Sequence, residues 1–218
     1  LISTLSPTYA REITDGGVGE ALSELLLERR DRIFGILSGI DTDLWNPATD
    51  AALAQTFDSE TLKMRAVNKN AFQREARLSV SSGTPLLGMV TRLDETKGLE
   101  LVISAFETLV QRRDVQFVIL GTGEEAYEAS FRDLQERFPN NVRAFIKFDD
   151  RLARRIYASV DMFLTPSRAE PSSIGLMSAM HYGAVPVIHM AGGLADIVVD
   201  ADHHAARGVG FAFEDYTA

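Results

Sequence analysis

The chain has 218 residues, 45% hydrophobic and 24% charged, enough to bury the core of one domain or one and a half. A formal net charge of −9 and a pI near 5.0 argue against a nucleic acid or an anionic membrane as partner, while leaving room for a local basic pocket. Cysteine is absent, which removes disulfides and thiolate metal sites and fits a reducing compartment; no apolar run approaches the roughly 18 residues of a membrane span, and no signal-peptide pattern opens the chain.

The chain begins at Leu1 without an initiator methionine and reads as an excerpt. Residues 1–80 hold one expected strand, Ile33–Leu37, a loop with the only tryptophan, Trp45, and a polar helix from about Ser59 to Ala76. They read as a lead-in and bracing segment. From about Pro85 the pattern changes to short β-rich runs alternating with helical ones. Strands are expected at Leu86–Thr91, Val115–Leu120, Val142–Lys147, Asp161–Thr165, Val185–His189 and Val209–Phe213. Helices fall near Lys97–Arg112, Glu124–Phe138, Asp150–Ser159, Ile174–Tyr182 and Leu194–Val198. Residues 81–218 are therefore expected to form an α/β, Rossmann-like, doubly wound parallel sheet, a fold that binds ligands at the carboxyl ends of its strands.

Several stretches converge on that edge. Arg92 and Lys97 stand between the first of these strands and its helix, where free backbone N–H groups and the helix dipole favour a phosphate. Two cations there would neutralise a diphosphate leaving group, and would equally serve as an ordinary solvated helix start. Gly121-Thr122-Gly123 follows the next strand, either to let backbone approach a ligand or as a plain tight turn. Glu170, in Ser167-Arg168-Ala169-Glu170-Pro171, precedes a helix, where a carboxylate either serves the helix dipole or faces a ligand. Gly192-Gly193-Leu194 opens another helix and offers backbone N–H groups to phosphate or sugar hydroxyls.

The order of motifs resembles the carboxyl-terminal half of bacterial glycogen synthases and plant starch synthases. The likeness runs nearly end to end: Ser6-Pro7-Thr8-Tyr9-Ala10-Arg11-Glu12-Ile13, Gly39-Ile40-Asp41, Trp45-Asn46-Pro47-Ala48-Thr49-Asp50, Asn68-Lys69, Arg92 with Lys97-Gly98, Leu120-Gly121-Thr122-Gly123, Pro166-Ser167-Arg168, Glu170-Pro171, and Gly192-Gly193-Leu194-Ala195-Asp196. The resemblance implies half of a GT-B fold that transfers glucose from ADP-glucose to the non-reducing end of an α-1,4-glucan, with retention and without a catalytic metal or other cofactor. By position, Arg92 and Lys97 would hold the donor diphosphate and Glu170 the donor glucose. Gly192, Gly193 and Leu194 would meet phosphates and sugar, the Gly121–Gly123 loop would lie along the ribose, and Phe148 would stack on adenine unless it is a core residue. Asp161 reads as structural.

Departures from the family pattern stand at Ser172 and Ser173, where cysteine and glycine are usual, and at Ala169, Ser38 and Ala191 in place of phenylalanine, asparagine and threonine. The family's amino-terminal domain, with its Lys-X-Gly-Gly loop and acceptor surface, is not in the sequence, so the chain is expected to be half an active site with that domain and a glucan as partners. The alternatives are a degenerate nucleotide-binding or partner domain, and a GT-B transferase using another nucleotide sugar. No motif suggests the pyridoxal-phosphate lysine of a phosphorylase. A bacterial parent implies the cytoplasm and a plant or algal one the plastid.

Overall fold

The structure is a computed structural model and describes residues 1–15 and 22–217. A two-stranded parallel pair, β1 (Ile2–Thr4) and β2 (Ile33–Gly35), precedes a six-stranded parallel sheet. The six strands are β3 (Leu86–Val90), β4 (Gln116–Gly121), β5 (Val142–Ile146), β6 (Met162–Thr165), β7 (Val185–His189) and β8 (Phe211–Phe213), in the order β5-β4-β3-β6-β7-β8. Eight α-helices accompany them among the described residues: α1 (Pro7–Thr14), α2 (Ser23–Glu28), α3 (Arg65–Glu75), α4 (Leu99–Arg112), α5 (Glu125–Arg137), α6 (Asp150–Ser159), α7 (Ile174–His181) and α8 (Gly193–Ile197).

The sheet separates two apolar layers because strand side chains alternate between faces. On β4, Val118 and Leu120 enter one core with Ile156, Tyr157 and Leu176, while Phe117 and Ile119 enter the other with Phe106, Phe131 and Leu134. Every residue of β4 is buried, which is why Phe117–Leu120 is an unbroken apolar run without alternation. On the first face α6 lies so close to β3 that a Cβ at Gly88 would come within 2.5 Å of the Val160 side chain.

The lead-in is stapled to this sheet by charge. Lys69 on α3 is buried and donates to Asp161 at 2.6 Å and to the Thr84 carbonyl at 2.7 Å, while Asp161 also accepts the Leu86 N–H at 2.7 Å. Asp161 thus ties α3 to the starts of β3 and β6, the structural role expected of it. Asn68 clasps both backbone groups of Gln55.

Two expectations need correction. Among the described residues of 1–80 there are two strands, not one, because Ile2–Thr4 pairs in parallel with Ile33–Gly35; three residues are too few to show alternation. Ser6 caps α1 through the Tyr9 N–H, with Pro7 in its first turn, a start signal that the sequence reading used only as a family marker. The helix expected to run from Lys97 is broken as well. A 3₁₀ turn at Glu95–Lys97 ends in Gly98 at φ 68°, and α4 begins at Leu99.

Candidate functional site

The strand order reverses between β3 and β6, so the loops that follow these two strands meet at the switch point where such sheets bind ligands. The loop after β3 is fixed from one side by the loop after β4. Leu93 donates to the Thr122 carbonyl at 3.1 Å and accepts from the Glu124 N–H at 2.7 Å. A Cβ at Gly121 would overlap the Thr91 carbonyl oxygen, and one at Gly123 that of Leu93. Those glycines therefore let two loops pack backbone to backbone. Glu128 locks the arrangement by accepting from Thr122 Oγ1 at 2.7 Å and the Gly123 N–H at 3.2 Å, bonds that hold its carboxyl below the usual range.

From the other side the loop after β6 closes against the same turn. The Arg168 N–H donates to the Thr96 carbonyl at 2.8 Å, and a Cβ at Gly98 would overlap the Pro166 carbonyl oxygen. This contact delivers Lys97 Nζ to Glu170 Oε2 at 2.8 Å, with side chains only 13% and 11% exposed. Ser167, fully buried, donates its hydroxyl to the same oxygen at 3.1 Å. Cation and carboxylate thus satisfy one another at the switch point.

The glycine-bearing start of α8 is engaged too. Gly193 donates to the Glu170 carbonyl at 2.7 Å, Leu194 to the Ala191 carbonyl at 3.1 Å, and Gly192 to the Glu12 carboxylate at 2.8 Å. At φ 50° Gly192 brings its α-carbon so near Glu170 that a Cβ would overlap the carbonyl oxygen. The N–H groups of all three residues expected at phosphate and sugar therefore already have protein acceptors. Glu12 was not among the site residues read from the sequence; it stands 180 positions from Gly192, brought there by α1, whose Thr8 also bonds Asp196 of α8 at 2.8 Å and 2.7 Å.

Arg92 and Phe148 lie elsewhere. They flank an open groove of about 310 Å³ at the carboxyl ends of β3, β4 and β5, lined also by Trp45, Gly121, Asp149 and Tyr157. The Arg92 side chain is 80% exposed, its nearest acid being Asp94 at 3.5 Å, and Phe148 is 89% exposed. The core alternative for Phe148 is therefore overturned. Trp45, a second aromatic wall that sequence reading did not place in the site, is held by the Arg154 guanidinium 4.3 Å above its ring and by the edge of Tyr157. Asp149 caps α6 through the Leu152 N–H at 2.8 Å and meets Lys147 at 2.7 Å; these bonds, that to Lys147 foremost, keep its carboxyl below the ordinary range.

Three of the five departures have local explanations, and nothing in the structure explains Ala169 or Ala191. Ser173 caps α7 through the Leu176 N–H at 3.2 Å, and the hydroxyls of Ser172 and Ser38 hydrogen-bond to each other, so two substituted positions form one contact. Among the described residues no group of three or more His, Cys, Asp or Glu side chains is placed to hold a metal ion, and no helix is long and apolar enough to cross a membrane.

Residues 72–218 match the family described as glycosyl transferases group 1. The chain belongs to this family. It is 48% identical to a glycogen synthase of Kosmotoga olearia and 43% identical to one of Lactiplantibacillus plantarum, in each case over 99% of this chain and 45% of that protein. Among solved structures it superimposes with a TM-score of 0.92, at 36% identity, on the catalytic domain of starch synthase IV from Arabidopsis thaliana bound to ADP and acarbose, covering 99% of this chain and 45% of that one. The likeness to glycogen and starch synthases is thus shown, as is the Rossmann-like half of a GT-B fold. This group 1 chain spans about half the length of the relatives it matches.

Proposed function

We propose that this chain is the donor-binding half of a retaining glucosyltransferase that moves glucose from ADP-glucose to the non-reducing end of an α-1,4-glucan, as a glycogen or starch synthase does. The observation that carries this reading is the pairing of Lys97 with Glu170 at the switch point, beside an open groove presenting Arg92 and Phe148. In this reading the adenine stacks on Phe148, the ribose follows Gly121 and Gly123, and the diphosphate lies toward Arg92 and Lys97. The glucose reaches Glu170 beside Gly192, Gly193 and Leu194. The donor then replaces each member of the ion pair with a new partner: phosphate oxygens for Lys97, sugar hydroxyls for Glu170. A cation stabilises the departing diphosphate more in the transition state than in the ground state, which is where binding lowers a barrier.

The same reading divides the chain into a bracing segment at 1–80 and a nucleotide-sugar domain at 81–218. The glucan and an amino-terminal domain of the same enzyme supply the other wall of the cleft, which near-attack geometry requires. Donor chemistry needs no further cofactor, and the bacterial relatives favour the cytoplasm over the plastid. Calorimetric titration tests the binding step: ADP should bind with a dissociation constant in the millimolar range or below, and Lys97→Ala should lose more affinity for ADP than for adenosine. No heat with millimolar ADP on folded protein refutes the reading.

A degenerate binding or partner domain is the second reading, favoured by the Ser38–Ser172 contact and by the engaged N–H groups of Gly192, Gly193 and Leu194. It predicts ADP binding without glucan elongation when the chain is joined to an amino-terminal domain.

A further inference from the structure

His189 ends β7 with both ring nitrogens directed at backbone carbonyls: Nδ1 lies 2.8 Å from the Ser167 oxygen and Nε2 lies 3.2 Å from the Glu214 oxygen. A carbonyl can only accept, and a neutral imidazole carries one N–H, so only the doubly protonated ring satisfies both. The Ser167 end of this bridge leads straight to the candidate site, because Ser167 donates its hydroxyl to the Glu170 oxygen that holds Lys97. The Glu214 end leads to the carboxyl-terminal segment, whose Phe213 and Tyr216 rings sit 5.5 Å and 5.0 Å from the imidazole.

The charged and titratable groups around the ring come from three elements. Tyr216 donates to Glu100 of α4 at 3.0 Å; burial and that bond raise its hydroxyl to about 12, so it stays neutral. Arg168, in the loop after β6, lies 4.4 Å over the Tyr216 ring and pairs with Glu100 at 2.6 Å. Glu170 is paired with Lys97. Each of these charges has its own counter-ion, leaving the two carbonyls as the partners that the ring itself must satisfy.

We propose that His189 is a positioning residue for Glu170, a two-donor clamp that holds the loop after β6 against the carboxyl-terminal segment and so sets the carboxylate for the donor sugar. This rests on the function proposed above, and two independent measurements separate the two. The first is ¹⁵N NMR of the imidazole in this chain from pH 5 to 9, with the Glu170 side-chain ¹³C signal followed in His189→Phe, which keeps an aromatic ring beside Phe213 and Tyr216 but donates nothing. Two protonated ring nitrogens in the clamped form, and a Glu170 signal that moves in His189→Phe, are expected.

The second measurement compares affinity for ADP-glucose with that for ADP. His189→Phe should lose about tenfold for ADP-glucose and less than about twofold for ADP, the scale of one hydrogen-bond contact. His189→Arg, which keeps two donors, should retain the preference for ADP-glucose. A ring with a single N–H throughout the titration, or an unmoved Glu170 signal, overturns the clamp whatever the binding shows. An unaltered preference for ADP-glucose in His189→Phe overturns it too, whereas no binding by the unaltered chain overturns the proposed function alone.

Discussion

The two halves of the candidate site differ in how finished they are. At the ends of β3, β4 and β5 the groove is open: Phe148 and Arg92 project into solvent, and its walls are set by Trp45, Gly121 and the capped start of α6. At the switch point Lys97 and Glu170 are nearly buried and neutralise each other, with Ser167 supplying a further bond. A planar base can enter the first region without displacing anything. The second must exchange an existing ion pair for ligand contacts, so its electrostatics favour a ligand carrying both negative charge and hydroxyl groups.

That contrast is broken most strongly by removing one member of the pair. Lys97→Ala leaves Glu170 without its cation in a nearly dry site and should destabilise the folded chain by about 3 kcal/mol. Arg92→Ala, at a solvated side chain, should shift stability by less than about 0.5 kcal/mol. Urea unfolding of both variants checks this, and equal losses would contradict the division. Next in size is Glu170→Gln in a whole two-domain enzyme. Glucan elongation should fall about 10²-fold in kcat with ADP inhibition nearly unchanged, because in the proposed reading the group acts on sugar and not on nucleotide. A carboxylate serving only the following helix would instead lower Tm and leave kcat within a few fold.

The fold was legible where local pattern decides it. The alternation of β-rich and helical runs located all six strands of the main sheet, with β7 and α6 matched end to end, because both follow from periods of two and 3.6 residues. What could not be read were contacts between distant loops. Lys97 and Glu170 are 73 positions apart and Glu12 and Gly192 are 180, and no local pattern announces either meeting. For Gly121 and Gly123 a ligand approach and a plain tight turn both stood open, because a glycine serves either. At Gly121, Gly123, Gly192 and Gly193 the near neighbour is backbone of this chain.

The open half is sharpened by Phe148→Ala. The ring is 89% exposed, so the substitution should leave Tm nearly unchanged, while a lost base stack should weaken ADP about tenfold and leave pyrophosphate unaffected. Calorimetry with the two ligands separates them; equal losses would place Phe148 away from the base.

The smallest expected effect tests whether the groove's rim is held electrostatically. Asp149 caps α6 and meets Lys147, and its folded carboxyl titrates below the ordinary value of about 3.9. A group depressed on folding stabilises the fold above its unfolded value and loses that contribution as pH falls through the folded one. Asp149→Asn keeps a capping oxygen but removes the charge, so at pH 7 it should lower Tm by only about 1 °C, the scale of a solvated pair. The difference should shrink as pH drops below about 4 and vanish once the folded carboxyl is protonated, when both chains carry a neutral side chain at this position. Scanning calorimetry across that range checks it. A difference that stays constant as pH falls would mean that the cap depends on the shape of the aspartate and not on its charge, making the rim of the groove as insensitive to protonation as its aromatic walls.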